Sequence, residues 1–486
     1  MPRRYRAPQK NGELFIDPPF DAVPGLIEEN RRKLDRDDVR IGDNSLQGLR
    51  YESRMTVTGV PLNKPIILTG HQPELFHPGV WVKNFAAVGI SDRVNGRAAF
   101  LTVDNDAVHS TVLPVPLVNR YPNQIRIQQI PFDRTEPDVT YEFRPIYDLD
   151  QFCTLGDRLL PLFEHWRFRP LLPSIWKHFK RDATWEKPKQ EFLLADILTQ
   201  TRQNFEEEIG LFLPPSSISD LTHNYPWSVF VNHLLADADR FAAIHNAALA
   251  DYRKRNKLRS RTHPFPDLAP NEAPFWVLDE DGKRKRCFVP YTGDPKAIRP
   301  RALTLTLFAR LILGDFFIHG IGGGKYDEVT DQIIRDYFGI DPPAYQVVSG
   351  TLHLPFPLFP HSGRDVKQLE RTLRDLHWNP HRHLTFEQKA RPDIAAMLKK
   401  QEALVRMRPI SRGDRRQHFR DQRAVLHDLQ PFVADRVGEI ERELAVARTE
   451  AAANAVLTRR DYSWVLYPKD VLFPFLKRVQ SLAAGV

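Results

Sequence analysis

The stretch PIILTGHQPELFHPGVWVKNFAA, residues 65 to 87, constrains the fold more than any other segment of the chain. A short apolar run ends at Gly70, and a polar turn carrying His71, Gln72 and His77 follows. Trp81, Val82, Phe85 and Ala86 then recur at helical spacing. Apolar run, polar turn and helix make up the unit from which parallel sheets with both faces covered are built. The unit starts again at AAFLTV, residues 98 to 103, which empties into DNDAVH. In open α/β sheets, ligands bind beyond the carboxyl ends of the strands, so the two polar turns point to one crevice. The expected fold class is α/β.

A length of 486 residues favours one large core with insertions, or two to three units. The cysteines Cys153 and Cys287 are too few for a disulfide framework, which fits a reducing, cytoplasmic setting. The basic N-terminus lacks an apolar run behind it, so it does not read as a signal peptide. The most apolar stretch, residues 302 to 324, is broken by Arg310 and Asp315, so no membrane span is expected. The net charge of +8 favours an anionic ligand such as a nucleotide without demanding nucleic acid.

Residues 1–150 are expected to form the first half of the core, with a helix near Val23 to Leu34. Residues 151–290 read as a mainly helical insertion that ends in a β-hairpin, FWVLDEDGKRKRCFV, turned by Asp-Glu-Asp-Gly. The second half of the core spans 291–365, with a helix from Ala302 to Leu313, a strand DFFIHG, a glycine-rich turn into a helix, and a hairpin-like YQVVSGTLHLPFPLF. In 366–460, Val433, Val437, Ile440, Leu444, Ala447 and Ala451 step by four and three, the pattern of a coiled-coil seam. Ala390, Ile394, Met397 and Leu404 keep the same rhythm, and the arginine-rich RMRPISRGDRRQHFRDQR between them predicts an antiparallel hairpin with a basic tip. The aromatic tail, 461–486, is expected to dock on the core.

Three turns carry the candidate chemistry. At the first, a helix N-terminus favours phosphate or carboxylate, and His71, His77 and Lys83 add donors, with Gly70 and Gln72 beside them. The second offers Asp104, Asn105, Asp106 and His109, suited to a ribose hydroxyl, an amine or magnesium. The third, IHGIGGGKYDE, supplies His319, Gly322, Gly323, Gly324 and Lys325; glycines let backbone approach a phosphate, and Arg299 lies nearby in sequence. It matches neither a Walker A motif nor G-x-G-x-x-G in a first βα turn. Zinc is not expected, because local ligand spacing is missing.

TGHQPELFHPG before a helix, DND at a strand end, IRPRAL, GIGGGKYDE and the closing RDYSWVLYPKDVLFPFL occur in an order that resembles the bacillithiol biosynthesis cysteine-adding enzyme family. A second, weaker likeness is to WbqC-like proteins, linked to surface-sugar biosynthesis. The first resemblance implies a Rossmann-like nucleotidyltransferase-type core with a helical insertion and a protruding coiled coil. It also implies an activity that joins an amino acid to a small sugar-linked acceptor. His71 and Gln72 match that family's Gln-Gln turn, Asp104 and Asp106 its acidic strand end, and Gly322, Gly323 and Gly324 its later glycine turn. Here a histidine replaces the first glutamine, and His77 and Lys325 are added, which makes the crevice more basic.

The leading expectation is a ligase or transferase with a small-molecule substrate and a nucleotide, ATP or ADP, with magnesium as an optional ion and a homodimer as an optional assembly. His71, His77, Asp104 and Asp106 are the expected catalytic residues. Two alternatives are a nucleic-acid-binding protein that uses Arg412, Arg415 and Arg416, and a self-associating scaffold with an inactive crevice.

Overall fold

The computed structural model describes residues 5–55, 59–60, 63–136, 138–179, 192–260 and 262–486. It is a mixed α/β protein with a mainly parallel sheet and many helices. The chain divides into two compact units, one of residues 1–115, 128–355 and 460–486, the other of 116–127 and 356–459.

The strands used below, all in the first unit, are β1 (Leu14–Asp17), β2 (Ile66–His71), β3 (Arg97–Thr102), β4 (Pro215–Ser217), β5 (Glu272–Leu278), β6 (Arg284–Phe288), β7 (Ile298–Pro300), β8 (Phe316–His319) and β9 (Tyr345–Gly350). Six of them form one sheet in the order β1-β9-β8-β2-β3-β4. All its neighbours are parallel except β1, which runs antiparallel to β9. From β2 the chain moves outward through β3 to β4, then returns to place β8 on the other side of β2 and β9 beyond it. The strand order therefore reverses between β2 and β8, where connections leave in opposite directions and a crevice opens at the carboxyl ends.

The amino ends of the same strands are closed. Asp315, just before β8, accepts from the Ile66 amide at 2.7 Å and pairs with Arg50 and Arg54, both at 2.7 Å. Asn30 donates to the carbonyls of Asp315 and Ala344 at 2.9 and 2.8 Å, tying the starts of β8 and β9 together. A buried polar network pins one end of the sheet and leaves the other for ligand.

Helix α1 (Pro78–Arg93) crosses from β2 to β3. Its residues 78, 79 and 81–91 are all buried, so it is covered around its whole circumference, with Lys83 and Asn84 among the buried side chains. One neighbour is the C-terminal helix α3 (Lys469–Ala484), which comes so close that a Cβ on Gly89 would lie 2.3 Å from the Gln480 carbonyl oxygen. Helix α2 (Ile321–Phe338) crosses from β8 to β9 and ends at Gly339, whose φ of 66° suits glycine. β5, β6 and β7 form a separate antiparallel sheet in the order β6-β5-β7.

Two local expectations are corrected. Residues 351–358 form no strand; β9 pairs with β1 instead of a hairpin partner, and Pro355 and Pro357 lack the amide hydrogens a strand there would need. The helix from Ala302 is α-helical only to Phe308 and widens into a π-turn over Ala309–Leu313, with Arg310 buried.

In the second unit, Leu369, Leu376, Ile394, Leu429, Ile440 and Leu444 belong to one apolar cluster. The arginine-rich segment expected as a tip is itself mostly helix, Arg412–Leu429. Ser411 and Asp414 form a reciprocal capping box that starts it, so only Met407 to Ser411 connects it to the helix Pro392–Arg406 it packs on. The long helix Ala434–Leu457 packs on Gly363–Trp378 instead. Among the described residues, no helix is long and apolar enough to cross a membrane.

Candidate functional site

A cavity of about 680 Å³ lies at the carboxyl ends of β2, β3 and β8, and all three polar turns contribute to its wall. From the first turn come Gly70, His71, Gln72 and His77, with Lys83 from α1; from the second, Asn105 and Asp106; from the third, His319, Gly322 and Gly323. The size suits a small-molecule ligand. Gly70 is required by close packing: a Cβ there would sit 2.6 Å from the Leu101 carbonyl oxygen on the paired strand.

The three histidines differ in which nitrogen they offer. His71 places Nδ1 3.2 Å from the Gln72 carbonyl oxygen; a carbonyl only accepts, so Nδ1 carries the proton and Nε2 the lone pair. Burial and the Lys83 charge hold its pKa down at about 3, so it is neutral near pH 7. His77 is the reverse. Its Nδ1 accepts from the Gly79 amide at 3.0 Å, which leaves Nε2–H as a donor, and burial and Arg460 lower its pKa to about 4. His319 Nε2 lies 2.8 Å from the Asp327 carboxylate, which leaves Nδ1 with the lone pair.

This arrangement corrects the expected anion site at the first helix. Pro78 has no amide hydrogen, the Gly79 amide is taken by His77 Nδ1, and those of Val80 and Trp81 bond the His77 carbonyl. His77 caps its own helix. No side chain caps α2, so the Ile321, Gly322 and Gly323 amides stand at the cavity wall with the helix dipole behind them. Lys83 reaches the same cavity with Nζ donating to the Gly70 carbonyl at 2.7 Å, and burial lowers its pKa to about 7. Gly320 lies beside it: a Cβ there would meet Lys83 Cδ at 3.9 Å.

Asp106 accepts from Gln72 at 2.8 Å and from Arg284 at 2.5 Å, so the two turns are joined by hydrogen bonds. Asn105, on the cavity wall, donates to the Pro300 carbonyl at 2.9 Å, while its buried Oδ1 has no hydrogen-bond partner among the described residues.

Five expected site residues lie elsewhere. Asp104 points away, accepting from the Ser219 amide at 3.0 Å and from its hydroxyl; burial raises its pKa to about 6. His109 is exposed and off the cavity wall. Arg299 is consumed by Glu142, at 2.8 to 3.1 Å, and by backbone carbonyls. Gly324 is a packing glycine; its Cβ would meet Val347 Cγ2 at 2.3 Å. Lys325 does not reach the cavity. Of the two expected carboxylates, Asp104 bonds Ser219 and Asp106 bonds Gln72 and Arg284, and no group of three His, Cys, Asp or Glu among the described residues is placed to hold a metal ion.

Other wall residues escaped the sequence reading. Trp276 of β5 carries the guanidinium of Arg301 4.1 Å from its ring centre and that of Arg284 at 5.2 Å. Arg301 also pairs with Glu272 at 2.6 Å. The one available signal was Trp-x7-Arg across a tight hairpin turn, which sets the two on facing strands. Arg460 donates to Ser349 Oγ and the Gly350 carbonyl at 3.0 and 2.8 Å and lines the wall beside His77.

No protein-family model matches the chain, and no curated protein matches it. Among solved structures, "crystal structure of putative arginyl t-RNA synthetase" from Campylobacter jejuni is 9% identical over 96% of this chain and 97% of its own, with a TM-score of 0.23. That likeness is too slight to bear on fold or chemistry.

Proposed function

We propose that the protein is a ligase or transferase that joins an amino acid, or a similar acyl group, to a small sugar-linked acceptor, with a nucleotide or other phosphate-bearing ligand in the cavity. The observation that carries this reading is the meeting of the uncapped α2 N-terminus with Lys83, which has no carboxylate partner among the described residues, where the strand order reverses. An anion of phosphate size satisfies both. His77 Nε2–H and Arg460 extend the donor side. Trp276, with Arg301 against it, supplies a flat wall for a planar ring. His71 and Asp106 offer acceptors to an incoming amine.

The finer architecture belongs to the same reading: a Rossmann-like core of the nucleotidyltransferase type, followed by an antiparallel coiled-coil hairpin. The order β9-β8-β2-β3-β4, with reversal at β2, supports the first, and the seam through Ile440, Leu444 and Ala447 the second. The ordered motifs shared with the bacillithiol biosynthesis cysteine-adding family support the substrate class. A cytoplasmic setting and a homodimer complete the proposal.

The test is thermal stabilisation by a panel of ATP, ADP, AMP and sugar nucleotides, on the wild type and on Lys83→Met. A ligand at this site raises the wild-type melting temperature and leaves that of the variant in place. Absence of a shift from every phosphate-bearing ligand would overturn the proposal.

A further inference from the structure

Behind the cavity wall lies a chain of buried charges that ligand binding alone does not require. Arg310, turned inward by the π-turn, donates to Asp327 at 2.7 Å and to Asp331 at 2.7 Å. Asp327 is 1% exposed, and the oxygen that accepts from Arg310 also accepts from His319 Nε2 at 2.8 Å. The imidazole is further fixed by Phe317, 4.4 Å between ring centres, and by the edge of Tyr345 at 5.2 Å. Its orientation and tautomer are therefore set from behind: Nε2 keeps its hydrogen, and the lone pair of Nδ1 faces the first turn of α2. Gly323 makes that possible, because a Cβ there would sit 2.8 Å from Nδ1.

A histidine on the wall of a ligand-sized cavity, held through one nitrogen by a buried carboxylate so that the other keeps its lone pair, has the layout of a general base. An anion subsite needs donors; here the structure has spent two carboxylates and an arginine to present an acceptor. We propose that His319 is the general base of this site, with Asp327 and Arg310 as positioning residues, and that it deprotonates the acceptor nucleophile, an amine, hydroxyl or thiol, as it attacks an acyl group carried on phosphate. This rests on the acyl-transfer reading above. The new bond forms between the nucleophile and the acyl carbon, the carbon–oxygen bond to phosphate breaks, and its electron pair leaves with the phosphate oxygen. The nucleophile's proton passes to Nδ1 and then to solvent. The leaving phosphate departs toward Lys83 and the α2 amides, on the same wall.

The experiment uses p-nitrophenyl acetate as acyl donor and water as nucleophile, so no natural substrate has to be known. Nδ1 takes a proton from water, the hydroxyl adds to the ester carbon, and p-nitrophenolate leaves. The full-length wild type is expected to show esterolysis above the uncatalysed rate. His319→Gln, which keeps a donor toward Asp327 but offers no base, is expected to lose tenfold or more, to the background of the exposed histidines. Asp327→Asn is expected to move the midpoint of the pH profile, which a merely structural contact would not do. A wild-type measurement stands beside the variants: diethyl pyrocarbonate at pH 6.5 followed by peptide mass spectrometry should find His319 modified. Equal rates in wild type and His319→Gln, or an unmodified His319 while exposed histidines react, would overturn the proposal. If esterolysis depends on His319 but no nucleotide binds, the base stands and the nucleotide reading fails; if nucleotides bind and His319→Gln changes nothing, the reverse holds.

Discussion

Lys83 Nζ donates to the carbonyl oxygen of Gly70 at 2.7 Å, and no carboxylate among the described residues shares that ammonium. A helix residue thus reaches back to the last turn of the strand that precedes it, and its charge lies at the cavity wall with one neutral acceptor. Such a cation is costly to the empty fold and useful to an anion.

The first prediction follows from that imbalance. Burial pulls the Lys83 amine from its ordinary 10.5 down to about 7. Below pH 7 both folded and unfolded chains are protonated, and the fold bears the full desolvation penalty. Between 7 and 10.5 the unfolded chain still binds a proton that the folded one lacks, so stability rises with pH across this window. Above 10.5 both are neutral and the penalty is gone. Lys83→Met is therefore expected to be more stable than wild type by on the order of 3 kcal/mol at pH 6, with the margin narrowing from pH 7 upward. Calorimetric scans of both proteins at pH 6, 8 and 10 measure it; a margin independent of pH would mean the amine is not desolvated.

A second prediction concerns the closed end of the sheet. Asp315 holds Arg50, Arg54 and the Ile66 amide together, and all three groups are buried. Burial lowers the Arg50 pKa to about 10, yet it remains charged at neutral pH. Asp315→Ala leaves two buried guanidinium groups without their carboxylate, a change expected to destabilise the first unit by about 3–5 kcal/mol. Urea unfolding followed by tryptophan fluorescence checks it. A loss under 1 kcal/mol would show that Arg50, through its bonds to the Leu311 and Gly314 carbonyls, anchors the network alone.

The strand–turn–helix units were legible because each is local: apolar run, polar turn and helix lie within some twenty residues of one another. What decided the site was not local. Asp104 and Asp106 are separated by one residue, but Ser219 claims the first and leaves the second to Gln72 and Arg284. Arg299 and Arg301 are the same residue type two positions apart; Glu142 buries one, and Trp276 holds the other at the cavity. Lys325 follows the glycines and misses the cavity, whereas Lys83, deep in an apolar helix, lines it. In each pair the choice was made by a partner from another segment, which pattern within a segment does not contain. The same holds for Arg460, whose place beside His77 depends on the carbonyl at the end of β9.

That junction supplies the last prediction. Gly79, in the first turn of α1, has so little room that a Cβ would lie 2.2 Å from the Gly350 carbonyl oxygen and 2.6 Å from Arg460 Nη2. The same arginine nitrogen donates to that carbonyl at 2.8 Å, and Ser349 Oγ donates to the Gly79 carbonyl at 3.2 Å. A methyl group would enter the contact that seats Arg460, and of its three neighbours, the Gly350 carbonyl, Arg460 and the His77 ring, the first is backbone and the second is tied to it. Gly79→Ala is expected to cost about 1–3 kcal/mol and to weaken stabilisation by phosphate-bearing ligands along with it. Gly322, in the first turn of α2, is the control: nothing lies within 4 Å of its Cβ position, so Gly322→Ala is expected to be neutral or stabilising by about 0.5–1 kcal/mol. Thermal melts of both variants with and without ligand compare them directly. If Gly322→Ala also abolishes the ligand shift while melting normally, the anion sits against that helix turn more tightly than against Arg460; if Gly79→Ala alone does, the arginine is the stronger contact.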